Sequence, residues 1–310
     1  MKPLRRALLL LLASLAMAAQ AQSPSPAPAL ELVVLGSGGP GATGRAGSSH
    51  VVLVDGVPRV LVDAGPGSFA RLGEAKLGLG RLDVILLTHL HADHASELPG
   101  LVKARAVSSG RPVTLKIFGP AGQKAHQRDD ADFPSTRRFV ELLFGRQGAF
   151  GYLRDFSAPL TLRTTDIPAS TNQPRVLLDE DGLRITAIAG HHRDAPAVIY
   201  RVDHGGKSLT FSGDIDPQGH AALRRIAANT SLLVVNSVVL DPPDSPPVLY
   251  TLHTAPTQTG EIAADVHAGQ LLLAHLSPAV DGRREAVQAA IRQHYPGPLA
   301  WAEDGLRITP

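Results

Sequence analysis

The stretch VILLTHLHADH (residues 84–94) contains the residues that decide the fold of this chain. Its first four residues form a continuous apolar run, which is typical of a fully buried strand, and functional side chains concentrate where such strands end. His89 and His91 occupy alternate positions, so their imidazoles point the same way and can bind one metal ion at about 2.0 Å. Asp93 and His94 follow one turn later and can bind a second ion. Because buried imidazoles need partners, this density of ligands predicts a metal site.

Three further predicted strands end in residues that bind metals. The strand at 183–189 is followed by His191 and His192. Adjacent residues point to opposite sides, so only one of the two is expected to reach the first ion, and His192 is favoured. The run LTFSGD ends in Asp214, whose carboxylate suits a bridge between two ions about 3.5–4 Å apart, with a helix N-cap as the alternative interpretation. The run LLLAH ends in His275, which suits the second ion.

The remaining chain alternates short apolar runs with helical patterns. Strands are predicted at residues 31–35, 49–54, 59–62, 84–87, 113–118, 183–189, 197–202, 208–211, 232–235 and 271–274. Helices are predicted at residues 68–77, 99–107, 221–228, 256–267 and 283–294, and the segment 147–173 is expected to be rich in loops. Two β-rich halves with helices outside predict an α/β fold, a four-layer sandwich.

Composition limits the classes of protein to which the chain can belong. The 310 residues are 44% hydrophobic and 19% charged, which is typical of a globular protein with a sizeable core. No cysteine is present, so disulfide scaffolds and thiolate metal ligands are excluded. Any metal must therefore be bound by carboxylates and by some of the 13 histidines.

The first 21 residues have the pattern of a secretory signal peptide. A basic start (residues 1–6) precedes an apolar run (7–19) and the small-residue cleavage site Ala19-Gln20-Ala21. A transmembrane anchor is the alternative, but it needs about 20 apolar residues. We therefore expect export to the periplasm or medium without a membrane anchor after cleavage. A Pro-rich lead-in at 22–30 and one domain at 31–310 would follow.

The charge balance gives no strong signal for nucleic-acid binding. The formal net charge is +2, but three of the basic residues lie in the expected leader. Without Lys2, Arg5 and Arg6, 27 basic residues face 28 acidic ones. The balance favours a small-molecule partner over a polyanion. The oligomeric state stays open, with a homodimer as one alternative.

Several motifs resemble those of the metallo-β-lactamase fold superfamily. They are THLHADH (88–94), SGD (212–214) and LLLAHLSP (271–278). The segments LGSGGP (35–40), GSSHVVLVDG (47–56), LVDAGPGS (61–68) and IFGP (117–120) are similar to the ribonuclease Z and phosphodiesterase-like branch. The resemblance covers nearly the whole chain after the leader. It implies an αβ/βα sandwich with two zinc ions in the groove between its halves, Mn²⁺ or Fe²⁺ being alternatives.

The resemblance also implies a role for each ligand. The first ion would be bound by His89, His91 and His192. The second ion would be bound by Asp93, His94 and His275. Asp214 would bridge the two ions. A water between two such ions has its pKa lowered from about 15.7 towards 7, and Asp93 would orient the resulting hydroxide.

His253 is the candidate general acid. It lies in the run LHTAP before a predicted helix, and a histidine in a His-x-Thr type of motif has this role in the ribonuclease Z branch. A structural histidine at the helix entrance is the alternative.

These inferences predict an exported metal-dependent hydrolase of phosphodiester or related ester bonds. The alternatives are a lactonase of the acyl-homoserine lactone type and a non-catalytic metal-binding protein. Ribonuclease Z itself is not favoured, because export removes the protein from precursor tRNA and no basic, glycine-rich arm is evident. True metallo-β-lactamases are not favoured either, since they lack the carboxylate that Asp214 supplies.

Overall fold

A computed structural model describes residues 27–124, 132–156, 158–193 and 195–310 of the chain. The expected leader at 1–21 and the first part of the lead-in lie outside these residues. Within them, no helix has the length and apolar character that crossing a membrane requires.

The first sheet has seven strands and changes from antiparallel to parallel pairing across its width. The strands are β1 (Leu30–Gly36), β2 (Ser49–Val54), β3 (Val57–Val62), β4 (Val84–Leu86), β5 (Val113–Pro120), β6 (Leu160–Ile167) and β14 (Arg307–Ile308). Their order is β14-β1-β2-β3-β4-β5-β6. The first three strands of the chain pair antiparallel, and β3 to β6 pair parallel.

The second sheet repeats this plan. Its strands are β7 (Arg175–Glu180), β8 (Leu183–Ala189), β9 (Val198–His204), β10 (Lys207–Phe211), β11 (Leu232–Asn236), β12 (Leu271–Ala274) and β13 (Leu299–Trp301). Their order is β13-β12-β11-β10-β9-β8-β7. Strands β7 to β10 pair antiparallel, and β10 to β13 pair parallel.

Helices cover the outer face of each sheet and give four layers. The helices are α1 (Ser68–Glu74), α2 (Ala92–Ala95), α3 (Leu98–Val107), α4 (Thr136–Phe144), α5 (His220–Ile226), α6 (Pro256–Asp265), α7 (Pro278–Asp281) and α8 (Arg284–Arg292). One apolar cluster joins the two sheets, and two others join each sheet to its helices. Successive side chains of a strand point to opposite faces of the sheet, and β2 is an example. Val52 and Val54 belong to the cluster between the sheets, while Val51 and Leu53 face the helices. The predicted four-layer sandwich is therefore confirmed.

The expectation of a loop-rich segment at 147–173 is right for only part of the segment. This segment contains β6, which forms an edge of the first sheet, and a short 3₁₀ helix at Gly151–Arg154. Only Leu160 and Ile167, at the two ends of β6, are buried. A strand at the edge of a sheet buries little side-chain surface, so the alternating apolar pattern that reveals central strands is weak in it.

Candidate metal centre

One edge of the sandwich collects the ends of several strands. Asp63 follows β3, the run 88–94 follows β4, and Asp214 and His275 follow β10 and β12 closely. Parallel strands end at the same edge of a sheet, so their first following residues meet there. Asp63 and His275 have positive φ angles of 60° and 55°, which turn the chain sharply at the strand ends.

Asp93, His94 and His275 bring three ligand atoms together. Nε2 of His275 lies 3.0 Å from Oδ2 of Asp93 and 2.9 Å from Nε2 of His94. The separation between the His94 and Asp93 atoms is 3.7 Å. Ligands placed tetrahedrally about 2.0–2.1 Å from a zinc ion are about 3.3 Å apart. The three atoms therefore have the spacing that a single divalent ion requires.

His89, His91 and His192 form a second set beside the first. Nε2 of His89 lies 3.1 Å from Nδ1 of His91. The His192 ring centroid is 5.0 Å from that of His89 and 5.1 Å from that of His91. One nitrogen of each ring lies within 4.8 Å of the others, which is compatible with three ligands of one ion.

Asp214 lies between the two sets. Its Oδ2 atom is 4.0 Å from Nε2 of His89, 3.8 Å from Nε2 of His192 and 3.7 Å from Nε2 of His94. Its Oδ1 atom accepts a hydrogen bond of 2.7 Å from the Asn236 amide. Burial alone would raise the pKa of Asp214, but the surrounding imidazoles hold it well below its usual range. The carboxylate is therefore ionised and placed to bridge two cations.

Hydrogen bonds fix which ring nitrogen each histidine presents to the site. Nδ1 of His192 donates to the carbonyl oxygen of Leu252 at 2.7 Å, which leaves Nε2 for a ligand. Nδ1 of His94 lies 2.8 Å from Oδ2 of Asp63. Burial lowers the pKa of His94, but Asp63, Asp214 and Asp93 together outweigh burial and raise this pKa to about 9. Asp63 also accepts bonds from the backbone and hydroxyl of Thr88. It thus orients both the ligand and the loop that carries it.

Sequence analysis did not identify Asp63 or His50 as site residues. Asp63 could have been found, because it follows a predicted strand as the other site residues do. His50 is buried on β2 against Phe211, with both ring nitrogens lacking a hydrogen-bond partner. Burial, helped by the nearby His94 and His275, lowers its pKa to about 3. Its position inside a predicted strand gives no sequence signal that separates it from a core residue.

His253 completes the ring of side chains around Asp214. Its Nδ1 atom lies 3.8 Å from Oδ2 of Asp214 and has no hydrogen-bond partner, although the residue is only 6% exposed. Burial, helped by His275 and opposed by Asp214, lowers the pKa of His253 to about 4. The imidazole is therefore neutral at pH 7 in the free protein. The position is within reach of a group bound at the metal centre.

The donor set as a whole fits divalent cations. The Nδ1 atoms of His253 and His275 are buried without a hydrogen-bond partner. Burial also lowers the pKa of His89 well below its usual value, so this imidazole is neutral and has a free lone pair. Neutral imidazoles around carboxylates are the ligands that zinc and similar ions prefer. All seven sequence-predicted ligands lie in overlapping groups of this kind, and His253 lies with them.

The structure shows which of the adjacent His191 and His192 reaches the ligand groups. His192 belongs to the ligand groups, whereas Nδ1 of His191 lies 2.7 Å from Oδ2 of Asp216 and its side chain is 38% exposed.

We expect His192→Ala to lose about one ion per chain and most turnover, because each ion of a two-metal site contributes to catalysis. His191→Ala should keep its metal. Metal analysis of the two purified variants checks this, and metal loss only in His191→Ala would move the ligand by one residue.

Comparisons with known proteins bear on the family and the fold of this chain. A family model described as a beta-lactamase superfamily domain matches residues 58–276. The ribonuclease Z of Mycobacterium avium (strain 104) is 30% identical over 288 residues, which cover 90% of this chain and 97% of the relative. Two solved structures share the fold, and each match covers 90% of this chain. The metallo-beta-lactamase fold protein YhfI from Bacillus subtilis has a TM-score of 0.65 and 22% identity, with 98% of its own chain covered. The short form of human tRNase Z has a TM-score of 0.63 and 23% identity, with 99% of its own chain covered.

Proposed function

This chain belongs to the beta-lactamase superfamily, and we propose on that premise that it is a dinuclear zinc hydrolase of phosphodiester or related ester bonds. The relatives named ribonuclease Z support the phosphodiester class, since their name states that they cleave RNA. The substrate proposed for this chain is a small molecule, because the charge balance outside the leader offers no excess of cations for a polyanion.

One observation carries the proposal: Oδ2 of Asp214 lies within 4.0 Å of a ring nitrogen from both ligand sets. A single ion needs only one of these sets. Two sets on either side of one ionised carboxylate have the arrangement of two-metal hydrolases, where a shared carboxylate holds ions about 3.5–4 Å apart. The first ion would be held by His89, His91 and His192, and the second by Asp93, His94 and His275.

Two divalent ions at these ligands would supply positive charge to the transition state and lower the pKa of water bound there. The chain itself supplies orientation and proton transfer. Asp93 has one carboxylate oxygen beside His275, and its second oxygen can accept a hydrogen bond from the attacking water. Asp63 and the carbonyl oxygen of Leu252 hold two of the imidazoles in fixed orientations. His253, which approaches Asp214 from outside the two sets, is placed to protonate the departing oxygen.

An activity panel on zinc-loaded protein tests the function. Bis-p-nitrophenyl phosphate and a set of lactones, each with and without chelator, separate the alternatives. We expect turnover of the diester that disappears with chelator, because the ions supply the charge that stabilises the transition state. Turnover of lactones alone would favour a lactonase. Metal-loaded protein that turns over neither class would support a non-catalytic metal-binding role.

We also propose export, on the basic, apolar and small-residue pattern of residues 1–21. Sequencing the amino terminus of protein made from the full chain in a bacterial host tests this. A mature chain that starts at Gln22 is the expected result. Protein that keeps residues 1–21 and stays inside the cell would contradict it.

A further inference from the structure

A groove of about 660 Å³ opens beside the second ligand set. One wall is formed by the loop of residues 39–47, the other by Pro66, Gly67 and the Ala70 to Glu74 side of α1, and Asp93 is part of the lining. The volume is within the range of small-ligand sites. The groove therefore adjoins the metal centre at Asp93 and is large enough for an organic group.

The loop that forms the first wall touches the metal ligands directly. The amide of Gly39 donates to the carbonyl oxygen of Leu276, next to His275. A Cβ atom at Gly39 would lie 3.2 Å from the His275 carbonyl oxygen, and one at Gly47 would lie 2.8 Å from that of Asp93. At Gly47 only glycine fits without a shift of its neighbours, and at Gly39 a Cβ atom would be in tight contact with the His275 carbonyl group. The wall of the groove and the second ligand set thus have fixed relative positions.

Charged side chains anchor this loop from behind. Arg45 contacts Asp281 at 2.8 Å and Glu303 at 2.7 Å. Asp304 accepts hydrogen bonds from the backbone amides of Ser37 and Ala46, at 3.0 and 2.9 Å. These contacts join the amino-terminal loop to the carboxy-terminal strands. The groove is therefore formed before any substrate binds.

Both arginines in the lining have acidic partners in the chain. Arg45 is paired as above, and Arg71 lies 2.6 Å from Glu74 and 3.2 Å from Asp304. A nucleic-acid strand needs cations that are free to replace its counterions. Apart from Glu74, which pairs with Arg71, the rest of the lining is glycine, alanine, proline and Asp93. The groove consequently suits a neutral, mainly apolar group.

We propose that this groove binds the organic substituent that stays on the phosphorus or acyl centre during hydrolysis, and that this substituent is neutral and about the size of an aryl ring. The inference rests on the proposed hydrolase function. His253 does not line the groove, so a leaving group that departs towards His253 is not the group held there. Ala70 and Ala42, which are exposed on opposite walls, then determine specificity.

Variants that fill the groove from either wall test this. Ala70→Trp and Ala42→Trp are compared with Ala289→Trp, which places the same side chain on an exposed position of α8. Bis-p-nitrophenyl phosphate and methyl p-nitrophenyl phosphate have the same leaving group and differ in the retained one. We expect both groove variants to lower kcat/KM about 10- to 200-fold for the first diester, mainly through KM, and by less than about twofold for the second.

A binding measurement separates this inference from the proposed function. Calorimetry with p-nitrophenyl phosphate and methyl phosphate needs no turnover, and metal content is measured on the same samples. Weaker binding of the aryl ester alone in both groove variants supports the groove even if the protein hydrolyses neither diester. Equal changes for the aryl and methyl compounds, or unchanged values in both groove variants, would overturn it. Preferred cleavage of an RNA oligonucleotide that these variants do not affect would also overturn it.

Discussion

Replacing Asp214 with alanine is expected to abolish activity, with turnover reduced at least about 10³-fold, the scale of losing an electrostatic stabiliser of the transition state. The carboxylate faces the ring nitrogens of both ligand sets within 4.0 Å and holds the negative charge between them. Without it, two cations would repel each other across neutral imidazoles. Metal content should therefore fall from about two ions per chain to one or fewer.

Two further variants separate charge from folding in this experiment. Asp214→Asn keeps the shape of the side chain and removes its charge, so we expect it to lose metal nearly as fully. Asp179→Ala removes an exposed carboxylate that pairs with Arg184 and should keep both metal and turnover. Full occupancy and full activity in Asp214→Ala would show that Asp214 does not bridge.

Replacing His253 with alanine should reduce turnover of diesters with poor leaving groups by about 10²- to 10⁴-fold, the usual contribution of a general acid. The free protein holds the pKa of His253 at about 4, mainly through burial. An anionic diester bound nearby favours the protonated imidazole, so proton uptake accompanies substrate binding. A nitrophenolate leaving group hardly needs that proton. Methyl p-nitrophenyl phosphate should therefore be affected much less than methyl phenyl phosphate.

The control for His253 is His294→Ala, at a half-exposed position beyond the end of α8. Metal content should be unchanged in both variants. If His253→Ala slows both diesters equally, His253 does not act as the acid. A lower melting temperature of His253→Ala with unchanged kinetics would show that His253 has a structural role at the start of α6.

The central strands could be predicted closely from sequence because they are buried on both faces. The predicted strands at 49–54 and 271–274 have the bounds of β2 and β12. The elements that were not predicted are α2, α4, α7, β6, β7, β13 and β14. The strands among them are short or lie at sheet edges, where side chains are partly exposed and the apolar pattern is weak.

The candidate site was predictable for a related reason. Its residues follow buried strands, so strand prediction also located the ligands of both sets. Asp63 was missed because a lone aspartate at a strand end resembles an ordinary turn residue. Only the structure shows that its carboxylate is hydrogen-bonded to His94 and Thr88. The groove beside Asp93 was not predictable, since the loop that forms one wall is held by hydrogen bonds from Ser37 and Ala46 to Asp304, which is distant in sequence.

Stepwise return of zinc to chelator-treated protein tests the dinuclear centre directly. Bound zinc and turnover of bis-p-nitrophenyl phosphate are measured at each step on the same sample. Turnover should be absent without metal and should reach its plateau at about two zinc ions per chain, because Asp214 and both ligand sets act as one centre. A plateau at one ion per chain, or full turnover in the metal-free protein, would contradict this.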